Sequence, residues 1–216
     1  MIFKDRSDGG RVLAKKLNAY RDRRDAIVLG LPRGGVVTAA IVADKLHLPL
    51  DIIVTRKIGA PQEEELAIGA IGEDGQIFLD ETLVTSLAVS KDYLNKTIAK
   101  EQAEADRRLR TYRGNRSPLV LKNKTAIIVD DGVATGATML AAIQSAKAKG
   151  AKMVVAAVPV AAADSWRKIC REATGISVDT PQYFGAVGNF YEIFPQTEDA
   201  EVIKLLDQNK NIFPGS

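Results

Sequence analysis

Ala126-Ile127-Ile128-Val129-Asp130-Asp131-Gly132-Val133-Ala134-Thr135-Gly136-Ala137-Thr138 runs four apolar residues into two adjacent carboxylates and then a loop of small residues. A continuous apolar run of this length suits a strand buried on both faces. A helix is expected next, with Met139, Leu140, Ile143 and Ala146 on one side. Lys147 and Lys149 suit its C-terminal dipole and Gly150 its C-cap. In open α/β sheets ligands bind at the C-terminal ends of strands, which is where this loop falls. A helix start offers unpaired backbone N–H groups and a positive dipole end, an anion site suited to phosphate. Thr135 and Thr138 add hydroxyl donors, and Gly136 and Ala137 let the backbone come close. Two carboxylates beside a phosphate cradle make sense if the phosphate belongs to a sugar, because carboxylates accept hydrogen bonds from vicinal hydroxyls. The bland alternative is a strand–turn–helix junction whose Gly and Thr serve only the turn and the cap.

Outward from this stretch, β-branched runs alternate with helical patterns, the signature of a parallel sheet with crossover helices. Residues 25–31 read as a first strand and 35–46 as a helix with a stripe of Val36, Val37, Ala40, Ile41 and Ala43. Further strands are expected at 50–55, 153–160 and 175–178, and helices at 162–171 and 198–206. Residues 58–75, rich in Gly and Glu, read as a loop or small hairpin, and 90–113 as a long charged helix. The fold class is therefore α/β, an open and mostly parallel sheet flanked by helices, within a single domain over 1–216. Residues 181–194 gather Tyr183, Phe184, Phe190, Tyr191 and Phe194.

Bulk properties narrow the function classes. The 216 residues are 46% apolar and 26% charged, with a net charge of +3 that by itself implies neither a nucleic-acid nor a membrane partner. One cysteine excludes an internal disulfide framework and a Cys-rich zinc site; Cys170 reads as a small buried filler. No signal-peptide pattern or membrane-length apolar run is visible, so the expected location is the cytoplasm. No G-x-x-x-x-G-K-[ST] and no G-x-G-x-x-G after a strand occurs, which argues against a P-loop and a dinucleotide site.

The stretch 126–138 resembles the PRPP (5-phosphoribosyl-1-pyrophosphate) signature of type I phosphoribosyltransferases. That resemblance implies that Asp130 and Asp131 hold ribose hydroxyls and that Gly132 and residues Ala134, Thr135, Gly136, Ala137 and Thr138 hold the 5′-phosphate. Leu29-Gly30-Leu31-Pro32-Arg33-Gly34-Gly35 is similar to the family's pyrophosphate loop. Arg33 would then bind pyrophosphate through its guanidinium, with Gly34 permitting an unusual backbone geometry. Thr55-Arg56-Lys57 ends the second strand, so Arg56 and Lys57 are expected to face the same cleft, with a solvated basic strand end as the alternative. Over most of the chain, G-L-P-R-G-G-V, V-T-R-K-I-G-A-P, E-L-A-I-G-A-I and F-x-A-V-G-x-F-Y resemble a branch of predicted phosphoribosyltransferases.

The resemblance further implies displacement of pyrophosphate from PRPP by a nitrogen nucleophile, a nucleobase above all, with Arg33, Lys57, Asp130 and Asp131 as catalytic residues. Mg²⁺ would be bound mainly through PRPP, with no protein metal ligand assigned. Residues 58–66 are the candidate lid, where Glu63, Glu64 and Glu65 are either a general acid or base or a solvated acidic turn. Residues 181–194 are the candidate hood, where Phe184, Phe190 or Tyr191 either stack on a base or fill a small core. The expected partners are PRPP, an acceptor of unspecified identity and a second copy of the chain. The rival class is a non-catalytic nucleotide sensor, RNA-binding in one version through Arg107, Arg108, Arg110 and Arg113; a third reading uses water or phosphate as acceptor.

Overall fold

The computed structural model describes residues 1–72, 75–114, 116 and 118–212. Its centre is a five-stranded parallel sheet of β1 (Ala26–Gly30), β2 (Leu50–Ile52), β6 (Thr125–Val129), β7 (Met153–Val160) and β8 (Thr174–Asp179), in the order β2-β1-β6-β7-β8. Every residue of β1 and β6 is buried. Their side chains alternate between two cores, as period-2 geometry demands. Val28, Ile127 and Val129 pack with α1 (Arg6–Lys16), α2 (Gly34–Leu46) and α7 (Asp199–Ile212) on one face. Leu29, Ala126 and Ile128 pack with α5 (Ala137–Ala148) and α6 (Ala163–Glu172) on the other. The chain leaves β1 toward β2 on one side, while β6 lies on the other. The gap between β1 and β6 is thus the switch point where such sheets place ligands.

Two helices bury more or other residues than the pattern predicts. In α2, Val36, Thr38, Ala39, Val42, Ala43 and Leu46 are buried, whereas Val37, Ala40 and Ile41 are half-buried. The predicted stripe is displaced because α2 is covered by α1 as well as by the sheet. In α6, Trp166 and Ile169 are the buried residues, and Cys170 is exposed, one step of about 100° past Ile169. The expectation of a buried cysteine is corrected accordingly.

Residues 56–79 form a second sheet, β3 (Arg56–Ala60), β4 (Glu63–Ile71) and β5 (Ile77–Leu79), all antiparallel. The hairpin alternative holds here. Register shifts at Ile58, Gly59 and Ala60 explain why no clean alternation shows in the sequence. Its buried cluster is small, with Ile58, Ala60, Ile68 and Ile71, covered by half-buried residues of α3 (Glu81–Ser86) and α4 (Lys91–Arg113). The candidate lid at 58–66 falls on β3, its turn and β4. Glu63 is exposed there, and the side chains of Glu64 and Glu65, like residues 73 and 74, lie outside the described residues.

Candidate active site

β6 delivers Asp130 and Asp131 to the rim of the sheet, and the loop beyond is stitched to its neighbours. Val133 N–H donates to Val160 O at 2.9 Å and Ala162 N–H to Val133 O at 2.8 Å. Ser165 Oγ donates to Ala134 O at 2.6 Å. Gly136 then takes φ +82° as the N-cap of α5, a left-handed conformation that strains residues with a Cβ. No side chain caps that helix start among the described residues, so its first backbone N–H groups face the loop together with exposed Thr135 and Thr138. This is anion-binding geometry.

The loop after β1 meets the same acids. A Cβ on Gly35 would lie 2.5 Å from Asp130 Oδ1 and 3.0 Å from Val129 O, and one on Gly34 would fall on Asp131 Oδ2. Two motifs far apart in sequence thus form one surface, joined by glycines because nothing larger fits. Gly34 itself is the first residue of α2; the unusual backbone feature is a cis Pro32–Arg33 peptide one residue earlier.

Electrostatically the acid pair is unequal. Burial, and then the neighbouring Asp131 charge, push the Asp130 carboxyl well above the ordinary aspartate range. Burial also raises Asp131, but Arg6 opposes that with a 2.7 Å bond from Nε to Asp131 Oδ2. Asp130 Oδ1 accepts from Asp131 N–H at 2.9 Å. Below Asp131, the Tyr191 hydroxyl donates to its carbonyl at 2.5 Å.

The basic residues are placed differently from one another. Arg33 Nη1 stands 3.8 Å from Asp199 Oδ1, which also accepts from the Tyr112 hydroxyl at 2.6 Å. Burial, with Asp199 adding, pushes that phenol up to about 12. Arg56 is held by Glu101 of α4, with Nε at 2.7 Å and Nη2 at 2.6 Å from Oε2. Lys57 is the next residue of β3, paired with Ala70 of β4.

Phe184, Phe190, Tyr191 and Phe194 form a compact cluster with Phe3, whereas Tyr183 is exposed. Phe184 stacks on Phe190 at 5.1 Å, and Tyr191 lies between Phe3 at 5.5 Å and Phe194 at 4.9 Å. Tyr191 is buried and its hydroxyl is engaged, which leaves no open ring face for a base; Phe184 and Phe190 are half-buried. Val187 rests on Gly132, where a Cβ would come within 2.5 Å of it. A separate cleft of about 740 Å³ lies between β4–β5 and α5–α6, and of the signature residues Ala137 alone lines it.

Sequence reasoning missed Arg6, Glu101 and Asp199. Each acts across a long stretch of chain and carries no motif of its own, so periodicity and local spacing give no signal for them.

In sequence and in fold the chain matches known proteins. Residues 4–187 match the family described as Phosphoribosyl transferase domain, so the chain belongs to the phosphoribosyl transferase domain family. It is 43% identical over 208 residues, 96% of its length, to Rv0571c of Mycobacterium tuberculosis, provisionally named a phosphoribosyl transferase. The chain spans about half of that relative, 47%. It is also similar to the crystal structure of TT1426 from Thermus thermophilus, with TM-score 0.86, 37% identity and coverage of 96% and 99% of the two chains. A Neisseria gonorrhoeae protein with bound ppGpp shares the fold at TM-score 0.51 and 16% identity, covering 96% of each chain.

Proposed function

We propose that this chain binds PRPP at the switch point between β1 and β6 and transfers its phosphoribosyl group to a nitrogen nucleophile, a nucleobase by chemical class. The observation that carries this reading is the packing of Gly34 and Gly35 directly against Asp131 and Asp130. One end of the ligand then lies on the loop 132–138 and the other on Arg33.

Asp130 and Asp131 take the ribose hydroxyls and soften the positive charge that develops at C1 as the bond to pyrophosphate lengthens. Residues Gly132, Ala134, Thr135, Gly136, Ala137 and Thr138 cradle the 5′-phosphate through backbone N–H groups and hydroxyls. Arg33 and Lys57 stabilise the departing pyrophosphate, an electrostatic contribution of the kind that dominates such reactions. Arg56 serves this end indirectly, by tying β3 to α4 through Glu101. Among the described residues no cluster of three or more His, Cys, Asp or Glu side chains is present. Two adjacent acids, one of them paired with Arg6, fit Mg²⁺ carried on the oxygens of PRPP, where it would neutralise leaving-group charge. The segment 58–66 is the lid and 181–194 the hood, with half-buried Phe184 and Phe190 its acceptor-facing rings. The protein works in the cytoplasm, as a dimer; among the described residues no helix is long and apolar enough to cross a membrane.

A nucleotide sensor without turnover is the second reading, and the ppGpp-bound neighbour of the same fold is what favours testing it. An RNA-binding version has less support. Arg107 and Arg108 pair with Glu104, and Arg113 is buried against Asp51 and the Ile52 carbonyl.

Isothermal calorimetry with PRPP and Mg²⁺, followed by a mass-spectrometric screen of nucleobases, tests the proposal. Binding with a new nucleotide mass is expected. Binding without turnover across the screen transfers the assignment to the sensor, and an absence of PRPP binding removes it.

A further inference from the structure

Arg6 reaches the acid pair from outside both ligand loops. It lies in the first turn of α1, and its side chain is only 10% exposed. A guanidinium this deep needs partners for its fixed fork of donors. Nε donates to Asp131 Oδ2 at 2.7 Å and Nη1 to Pro195 O at 2.7 Å. Its Cζ lies 3.7 Å from the centre of the Phe194 ring, a close cation–π contact. A Cβ built on Gly34 would meet Nε at 2.8 Å and Nη2 at 3.0 Å, so the same guanidinium abuts the pyrophosphate loop.

We propose that Arg6 is a positioning residue of the ribose site: it fixes Asp131 through Oδ2, so that Oδ1 is presented to a ribose hydroxyl, and it links that carboxylate to the hood through Phe194 and Pro195. The inference rests on the reading of Asp131 as a ribose ligand. The groups that face Asp131 are Arg6 from α1, Asp130 on its own loop, and the Tyr191 hydroxyl at its carbonyl. Arg33, the nearest loop cation in sequence, is turned toward Asp199. Arg6 therefore supplies positive charge beside one member of a buried acid pair, through the 2.7 Å bond to Oδ2, and opposes the effect of burial on Asp131.

The test is calorimetric binding of ribose 5-phosphate to the full chain from pH 5.5 to pH 9, for the wild type, Arg6→Gln and Phe194→Leu. Arg6→Gln is expected to weaken binding about tenfold near pH 7 and to move the pH midpoint up by about one unit, with affinity recovering toward wild type at pH 9. Phe194→Leu, which leaves the ion pair but removes the ring that holds it, is expected to move the midpoint in the same direction by less. Should Arg6→Gln not fold, Phe194→Leu decides alone. An unchanged midpoint, or a loss of affinity equal at every pH, overturns the positioning role. Failure of the wild type itself to bind ribose 5-phosphate is a different outcome, and it removes the ribose assignment on which the inference stands.

Discussion

Asp130 and Asp131 leave a strand whose five residues are all buried and which is paired on both sides, whereas Lys57 stands on a three-stranded sheet with four residues in its buried cluster. The first region sets its ligand groups on close-packed structure, where a displaced side chain meets resistance at once. The second is tied to the rest by a few named contacts, among them Arg56–Glu101 and the Tyr93 hydroxyl on Gly59 O at 3.0 Å. Segments with few buried apolar contacts open at lower free energy than core strands. The difference separates two tasks. On the proposed reading, the ribose 5-phosphate end would rest on the close-packed sheet and the leaving-group end on the sheet with the smaller core.

Breaking the rigid half gives the largest effect. The double variant Asp130→Asn, Asp131→Asn is expected to lose at least about 100-fold in ribose 5-phosphate affinity, equivalent to roughly 2.7 kcal/mol, with an unchanged circular dichroism spectrum. Calorimetry checks it, and near-wild-type affinity in the folded variant would falsify the site. Next comes Gly35→Ala. Its methyl meets Asp130 and the Val129 carbonyl, which cannot yield as a flexible side chain does. A loss of about 2 kcal/mol, or roughly 4–8 °C in Tm, is expected in a thermal melt.

The third prediction concerns pH. The Asp130 carboxyl is raised in the folded state, so the folded chain keeps a proton that the unfolded chain releases near 3.8. Its contribution to stability is therefore complete below that value and is lost as pH rises through the raised one. Ligand-free Tm should decline over that window. Asp130→Asn should flatten the decline and raise Tm at pH 8 by on the order of 2–4 °C, while ribose binding is lost. A steeper decline in the variant would contradict the assignment. The smallest effect on stability belongs to the smaller sheet. Glu101→Gln should change Tm by no more than about 2–4 °C, yet raise amide hydrogen exchange across residues 56–71 several-fold, with exchange in β6 unaffected.

The parallel sheet was legible because strands buried on both faces read as unbroken apolar runs, and 126–129 and 153–160 do so. The two loops that meet at the candidate site were legible because glycine and acid spacing is local. Helix α1 was not. Its Gly9 and Gly10 suggest a loop, yet they serve packing: a Cβ on Gly10 would come within 2.9 Å of Ile41 Cβ and of Thr38 O, and one on Gly9 within 3.0 Å of Pro159. Asp5 starts the helix by accepting from Asp8 N–H at 2.8 Å. With α1 unseen, Arg6 stayed unseen as well, since its partner Asp131 is placed by the fold alone. Tyr191 illustrates the reverse: an aromatic in the right segment reads as a stacking platform until packing closes both its faces.

Helix α4 joins the two regions in a way that follows from its length. Its 23 residues span about 35 Å. At its C-terminal end Arg113 is buried against Asp51 and the Ile52 carbonyl at the edge of the large sheet. Tyr93, near its other end, and Glu101, midway along, grip the small sheet. The helix is thus a beam clamped at one end and loaded along the rest. Were the small sheet to swing about the Arg113 anchor, a spectroscopic label at Lys91 would read that swing with the longest arm.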